Sequence, residues 1–177
     1  LLQISRNTIE ETDRWNDANG MNSYYPAAVR VGYDPEVILA KLREHCQSRL
    51  HPNGFTIDNP HGIETCSTVP NTINEMLCLS QGGIIRLFFN WPRDRNASFS
   101  TLRAHGAFLV SSSLEYGDIG HVRIVSERGR TCRIMNPWPN EPAVLRRSDG
   151  AAEKLSGKFF EVPTRPGESF ALERSGQ

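Results

Sequence analysis

A change of hydrophobic period near residue 83 constrains this chain more than any other feature of its sequence. Before it, apolar residues recur at helical spacings. After it, they gather in strand-length runs separated by turn residues. Gly82-Gly83 marks the change, and Ile84-Ile85-Arg86-Leu87-Phe88-Phe89 follows at once as a β-branched and aromatic run. Helices first and strands afterwards is the order of an α+β protein, not of an alternating parallel α/β sheet. The 177 residues suffice for one domain with a real core, or for a helical piece joined to a small sheet domain. The expected division is 1–82, helical, and 83–177, all-β.

Within the first part, Leu1 to Trp15 reads as a helix with Leu2, Ile4, Ile9 and Thr12 on one side. Asn16-Asp17-Ala18-Asn19-Gly20 stops it, because Asn, Asp and Gly favour turns. Met21 to Gly32 reads as a connecting segment carrying Tyr24, Tyr25 and Pro26. The next helix has a distinct start: Asp34 can accept from the free first-turn amides, and Pro35 lacks an N–H that would be unpaired there anyway. Ile38, Leu39, Leu42, Cys46 and Leu50 give it an apolar face, and Pro52-Asn53-Gly54 ends it. Ser67 or Thr68 is placed to cap a last helix through about Ser80, with Val69, Ile73, Met76 and Leu77 on one face. Three helices are too few to enclose a deep site, so the chain reads as the C-terminal portion of a longer protein.

The second part reads as short antiparallel strands. Ala107–Leu114 and Ile119–Ser126 flank the turn Glu115-Tyr116-Gly117-Asp118. Further strands are expected at Thr131–Met135, Ala143–Arg147, Lys158–Val162 and Phe170–Glu173, a pattern that suits a sandwich or meander.

Composition removes several functions. Lys plus Arg equals Asp plus Glu, so the zero net charge gives no reason to expect nucleic acid as a partner. No apolar run reaches the length of a membrane span. The four cysteines are far apart with no C-x-x-C spacing, and the histidines supply no paired ligands, so no metal site is expected. The thiols read as buried and free, with a disulfide between two of them left open. No cofactor is implied.

Chemistry is sought in the loop between the last two helices, from His51 toward Leu79, which is too long and too rich in stiff and apolar residues for a solvated tail. Glu64 stands just ahead of the last helix, where free amides favour the charged carboxylate. An ionised carboxylate there suits a general base that orients and deprotonates water; alternatively it only supports the helix end. His61 is a candidate substrate contact, and Trp91 and Tyr25 are candidates for stacking on a sugar face, although each also suits core packing. Asp58 suits a turn and Glu75 a helix surface. Asn96-Ala97-Ser98 fits the N-glycosylation tripeptide.

The segment Ile63-Glu64-Thr65-Cys66-Ser67-Thr68-Val69-Pro70-Asn71-Thr72-Ile73-Asn74-Glu75-Met76-Leu77 resembles the last catalytic segment of glycoside hydrolase family 95. Those inverting α-L-fucosidases and α-L-galactosidases carry approximately I-D-G-N-F-G-A-T-A-G-I-A-E-M-L. Ile63, Glu64, Ile73, Glu75, Met76 and Leu77 fall on its Ile, Asp, Ile, Glu, Met and Leu without gaps. Gly83–Leu87 and Leu102-Arg103-Ala104-His105-Gly106-Ala107-Phe108 resemble its following strand and its L-R-A-R-G-G-F segment, and the likeness spans roughly residues 35–135. It implies the terminal helices of an (α/α)6 barrel followed by a C-terminal antiparallel β-sandwich, a secreted or periplasmic setting, and an oligosaccharide or polysaccharide substrate. The family's Asp shares in the general-base function, and Glu64 holds its place with one methylene more reach. The general acid and the missing N-terminal barrel segment would lie upstream, so the isolated chain is expected to lack turnover. The competing readings are a non-catalytic carbohydrate-binding or structural module and an unrelated interaction protein.

Overall fold

Asp34 caps its helix as its position suggests. In a computed structural model that describes residues 1–176, its carboxylate accepts the Glu36 amide at 2.8 Å, with Pro35 at the first helical position. The helices are α1 (Leu2–Thr12), α2 (Met21–Arg30), α3 (Pro35–Ser48), α4 (Ile63–Cys66) and α5 (Thr68–Leu77). Apart from Leu77 at the end of α5, they belong to a unit formed by Leu1–Met76 and Asn90–Pro92; a second unit comprises Leu77–Phe89 and Arg93 onward. The division therefore falls six residues earlier than the expected 82/83 boundary, and Trp91 belongs with the helices. Among the described residues no helix is long and apolar enough to cross a membrane.

Two features of the helical unit differ from the sequence reading. The segment expected to connect is α2, and the loop ahead of α5 holds the single turn α4, so the unit has five helices instead of three. Pro26 lies inside α2, where it removes one backbone donor at a cost of about 3 kcal/mol. Met21, Tyr25, Ala28 and Val29 recur on one helical face and are all buried, and burial worth about 1.5–3 kcal/mol for each large side chain outweighs the proline. Second, α1 ends at Thr12, with Asp13 in the left-handed region, and buries only Ile9. Leu2 and Ile4 remain 59% and 67% exposed. The core joins Ile9, Trp15, Met21, Tyr25, Ile38, Leu42 and Met76. Trp15 anchors it, meeting the rings of Tyr24 and Tyr25 edge-on at 4.9 Å.

The second unit holds β1 (Cys78–Leu79), β2 (Arg86–Leu87), β3 (Ala97–Ala104), β4 (Phe108–Glu115), β5 (Asp118–Ser126), β6 (Cys132–Met135), β7 (Ala143–Arg147), β8 (Ala152–Leu155), β9 (Phe159–Val162) and β10 (Ser169–Arg174). Six form an antiparallel sheet in the order β3-β4-β5-β10-β7-β8, while β6 pairs with β9 and β1 with β2. The register sets Val110 beside Ile124 and Ile124 beside Phe170, and Val122 beside Leu172 and Leu172 beside Leu145. All are buried, so period-two burial defines one covered face. The expected strand Ile84–Phe89 is mostly irregular: Ile85 makes a parallel bridge to Ile134, only Arg86–Leu87 pair with β1, and Phe88 turns the chain at φ 48.

Three strands are not expected from the sequence: β1, which takes Cys78–Leu79 where the last helix is expected to continue to about Ser80, β3 and β8. In β3 the register shifts between Phe99 and Leu102, with Thr101 at φ 56 and its amide donating to Ser111 Oγ at 3.0 Å. This bulge inserts an extra residue and breaks the alternation by which a strand is recognised. β8 is a polar edge strand that pairs only with β7, so burial leaves no pattern in it.

Candidate functional site

Glu64 is the second residue of α4, a single helical turn, and Ser67 separates that turn from α5. The carboxylate therefore stands four residues before α5 and gains nothing from that helix's free amides, unlike the placement expected from sequence. Glu64 is exposed, and no hydrogen bond or ion pair reaches its carboxylate among the described residues. Its main-chain carbonyl accepts from the Ser67 amide at 3.2 Å and from Ser67 Oγ at 2.6 Å, which closes the turn.

The turn is built into the unit. Thr65 is buried beneath Glu64, its hydroxyl donating to the Gly62 carbonyl at 2.7 Å and meeting Thr56 Oγ1 at 3.4 Å. Thr56 is fully buried too, and accepts from the Asn59 amide at 3.2 Å. Asn59 Nδ2 reaches the Ala18 carbonyl and Asn19 Oδ1, tying the loop to the turn ahead of α2. A Cβ on Gly62 would lie 2.1 Å from that same Nδ2, so a larger residue there would displace the Asn59 amide from these contacts. The rest of the loop folds on itself, with the Ile57 amide bonding the Arg49 carbonyl at 2.9 Å and Arg49 pairing with Asp58.

Three carboxylates lie between His51 and Leu79: Asp58, Glu64 and Glu75. Asp58 is engaged by Arg49, and Glu75 is gripped by Arg30, whose Nε donates at 2.7 Å. Among the described residues, Glu64 is the one left without a partner. A hollow of about 330 Å³ lies at the Glu44, Arg49, Ile57 and Asp58 end of the loop, and Glu64 does not line it.

The other sequence candidates are dispersed. His61 is exposed in the same loop, three residues before Glu64. Tyr25 is 0% exposed and packs edge-on against Trp15, so it has no open face to offer a sugar; here it is a core residue. Trp91 is half-buried against the helical core. Among the described residues no cluster of three or more His, Cys, Asp or Glu side chains is arranged to hold a metal ion.

Polar groups hidden in the core were missed from sequence. His45 is 1% exposed, and among the described residues neither of its ring nitrogens is hydrogen-bonded and the buried Tyr25 and Thr68 hydroxyls have no partner. The apolar face of α3 runs Ile38, Leu42, His45, whereas Cys46 faces solvent. Spacings of four and three from Ile38 fit His45 at least as well as Cys46. Cys46 is the more apolar side chain of the two, which is why the pattern alone points to it. Burial holds the imidazole below its usual pKa, with Arg49 adding to the effect and Asp58 opposing it.

Compared with known proteins, the chain matches no family model, and no curated sequence matches it significantly.

Proposed function

We propose that this chain is the C-terminal portion of an inverting α-glycoside hydrolase resembling the family 95 α-L-fucosidases, with Glu64 as its general base. On this reading the five helices are the last of an (α/α)6 barrel and the sheets form its β-sandwich. A water held by Glu64 would give its proton to the carboxylate as its oxygen attacks the anomeric carbon. A general acid from an earlier barrel segment would protonate the departing oxygen, so the product inverts. Such a pair works at a separation of roughly 6.5–9.5 Å, with room for the water between.

The observation that carries the reading is the ungapped correspondence over Ile63–Leu77, which puts Glu64 at the base position of the family's motif. Its support is physical. Of the three carboxylates in this stretch, Asp58 and Glu75 are neutralised by arginines, and Glu64 alone is accessible and unpaired on a turn anchored by Thr65. His61, exposed three residues earlier in the same loop, would contact the substrate.

The test is Glu64→Gln in the complete enzyme, assayed on an aryl α-L-fucoside with the anomer of the first-formed sugar followed by NMR. The expected outcome is a fall in kcat of about 10²–10⁴-fold, the usual worth of a positioned base, with inversion in the parent enzyme. Near-parental turnover in the variant would remove Glu64 from the mechanism. Glycan binding without any hydrolysis by the complete protein would favour the carbohydrate-binding module.

A further inference from the structure

The second unit carries a hollow of about 580 Å³ bounded by Met135, Pro139, Asn140, Pro142, Lys154 and Lys158. That volume lies in the range of small-molecule sites, roughly 300–1,000 Å³. One wall is the segment after β6, and the other is the turn between β8 and β9.

A single buried amide joins the two walls. Asn136 is 5% exposed, and its Nδ2 donates to the Glu141 carbonyl at 2.9 Å and to the Gly157 carbonyl at 3.0 Å. Its Oδ1 accepts the Trp138 amide at 3.0 Å, and its own amide bonds the Lys158 carbonyl at 2.9 Å. Trp138 is 1% exposed and roots the loop in the core, donating Nε1–H to the Ile119 carbonyl at 2.9 Å. The hollow is thus held open by satisfied hydrogen bonds, with little ordering left to be done on binding.

Its chemistry is amphipathic. Met135, Pro139 and Pro142 supply an apolar surface poor in hydrogen-bonding groups, which suits hydrocarbon better than a polyhydroxylated ring. The one carboxylate on the rim, Glu141, is turned to Arg174 Nε at 3.1 Å. Lys154 and Lys158 form no ion pair among the described residues, so two unneutralised cations face one apolar hollow. Lone surface lysines are ordinarily just solvated; here they share a preformed cavity.

We propose that this hollow binds a small amphipathic carboxylate, its hydrocarbon body against Met135, Pro139 and Pro142 and its head group between Lys154 and Lys158. The proposal stands independently of the glycosidase reading, since it uses none of the helical unit.

Titration of the whole chain with octanoate, by calorimetry and by amide chemical shifts, tests it. The expected result is saturable one-site binding with shifts confined to residues 135–142 and 154–158. Acetate, which has only the head group, and octyl glucoside, which has only the tail and a neutral sugar, should each bind at least about tenfold more weakly. The double variant Lys154→Met, Lys158→Met keeps the aliphatic stems. It should lose about tenfold in octanoate affinity and none for octyl glucoside, with an unchanged circular dichroism spectrum. Absence of saturable octanoate binding, equal affinity for octyl glucoside, indifference to the double variant, or shifts elsewhere would each overturn the site. So would sedimentation showing that two copies of the chain close this hollow against each other.

Discussion

His45 shows how one side chain can set a pH limit on the helical unit. It lies on the buried face of α3 with both nitrogens unbonded, and burial keeps its pKa below the usual value. Below about pH 6.5 the unfolded chain takes up a proton that the folded chain refuses. The contribution is thus fully present above that value and is lost as pH falls from there through the lower folded pKa. Arg49 and Asp58, the charged groups that act on it, pull in opposite directions. The other four histidines are exposed. Urea midpoints of the helical signal should fall between pH 7 and 5 in the parent chain, and this limb should flatten in His45→Phe. Equal slopes in the two proteins would show that His45 does not govern the limb. Glu64 presents the opposite case, an exposed carboxylate whose replacement by Gln should move stability by no more than about 0.5 kcal/mol. Loss of activity in that variant would then report chemistry, not folding.

At the scale of elements, the helix with the strongest local start is the one whose cap can be tested cleanly. Asp34 is exposed and its carboxylate bonds only the first-turn Glu36 amide among the described residues, so Asp34→Ala removes a cap with little disturbance to packing. The expected cost is about 1 kcal/mol, read as a lower urea midpoint with an unchanged slope, and Asp34→Asn should recover most of it. No comparable local signal supports α2. Pro26 argues against a helix there, and the segment is helical because Met21, Tyr25, Ala28 and Val29 find a common core. β3 makes the same point in the sheet, where the bulge at Thr101 is settled by pairing with β4 and by the Ser111 hydroxyl.

For the molecule as a whole, the cysteines separate by environment. All four are free, and only Cys132 is buried outright; Cys46 is exposed, with Cys66 and Cys78 between. That corrects the expectation of four buried thiols. Burial pushes both Cys78 and Cys132 up to about 12, so almost no thiolate exists at either near neutral pH. With a disulfide-forming reagent followed by peptide mapping, Cys46 and then Cys66 should be modified in the native chain. Cys78 and Cys132 should react only after unfolding. A reductant should leave the melting temperature unchanged, and a reductant-dependent shift would reveal a bond that this arrangement lacks.

What the sequence determined by itself was local. Asp34-Pro35 starts a helix through contacts within three residues, the turn at Glu115–Asp118 joins β4 to β5, and β7 falls where its alternating apolar residues put it. The order of helices followed by antiparallel strands was legible for the same reason, since each period is written in adjacent residues. Tertiary structure decided what depends on distant partners. It made α2 a helix through its proline, buried His45 instead of Cys46, and put Tyr25 in the core beside Trp15. It also neutralised Asp58 and Glu75 with Arg49 and Arg30 while leaving Glu64 open, and hung two loops from Asn136. In each of these the local preference was weak or adverse, and burial or pairing across the fold outweighed it. Such terms are set by neighbours far away in the chain, and no short window of sequence contains them.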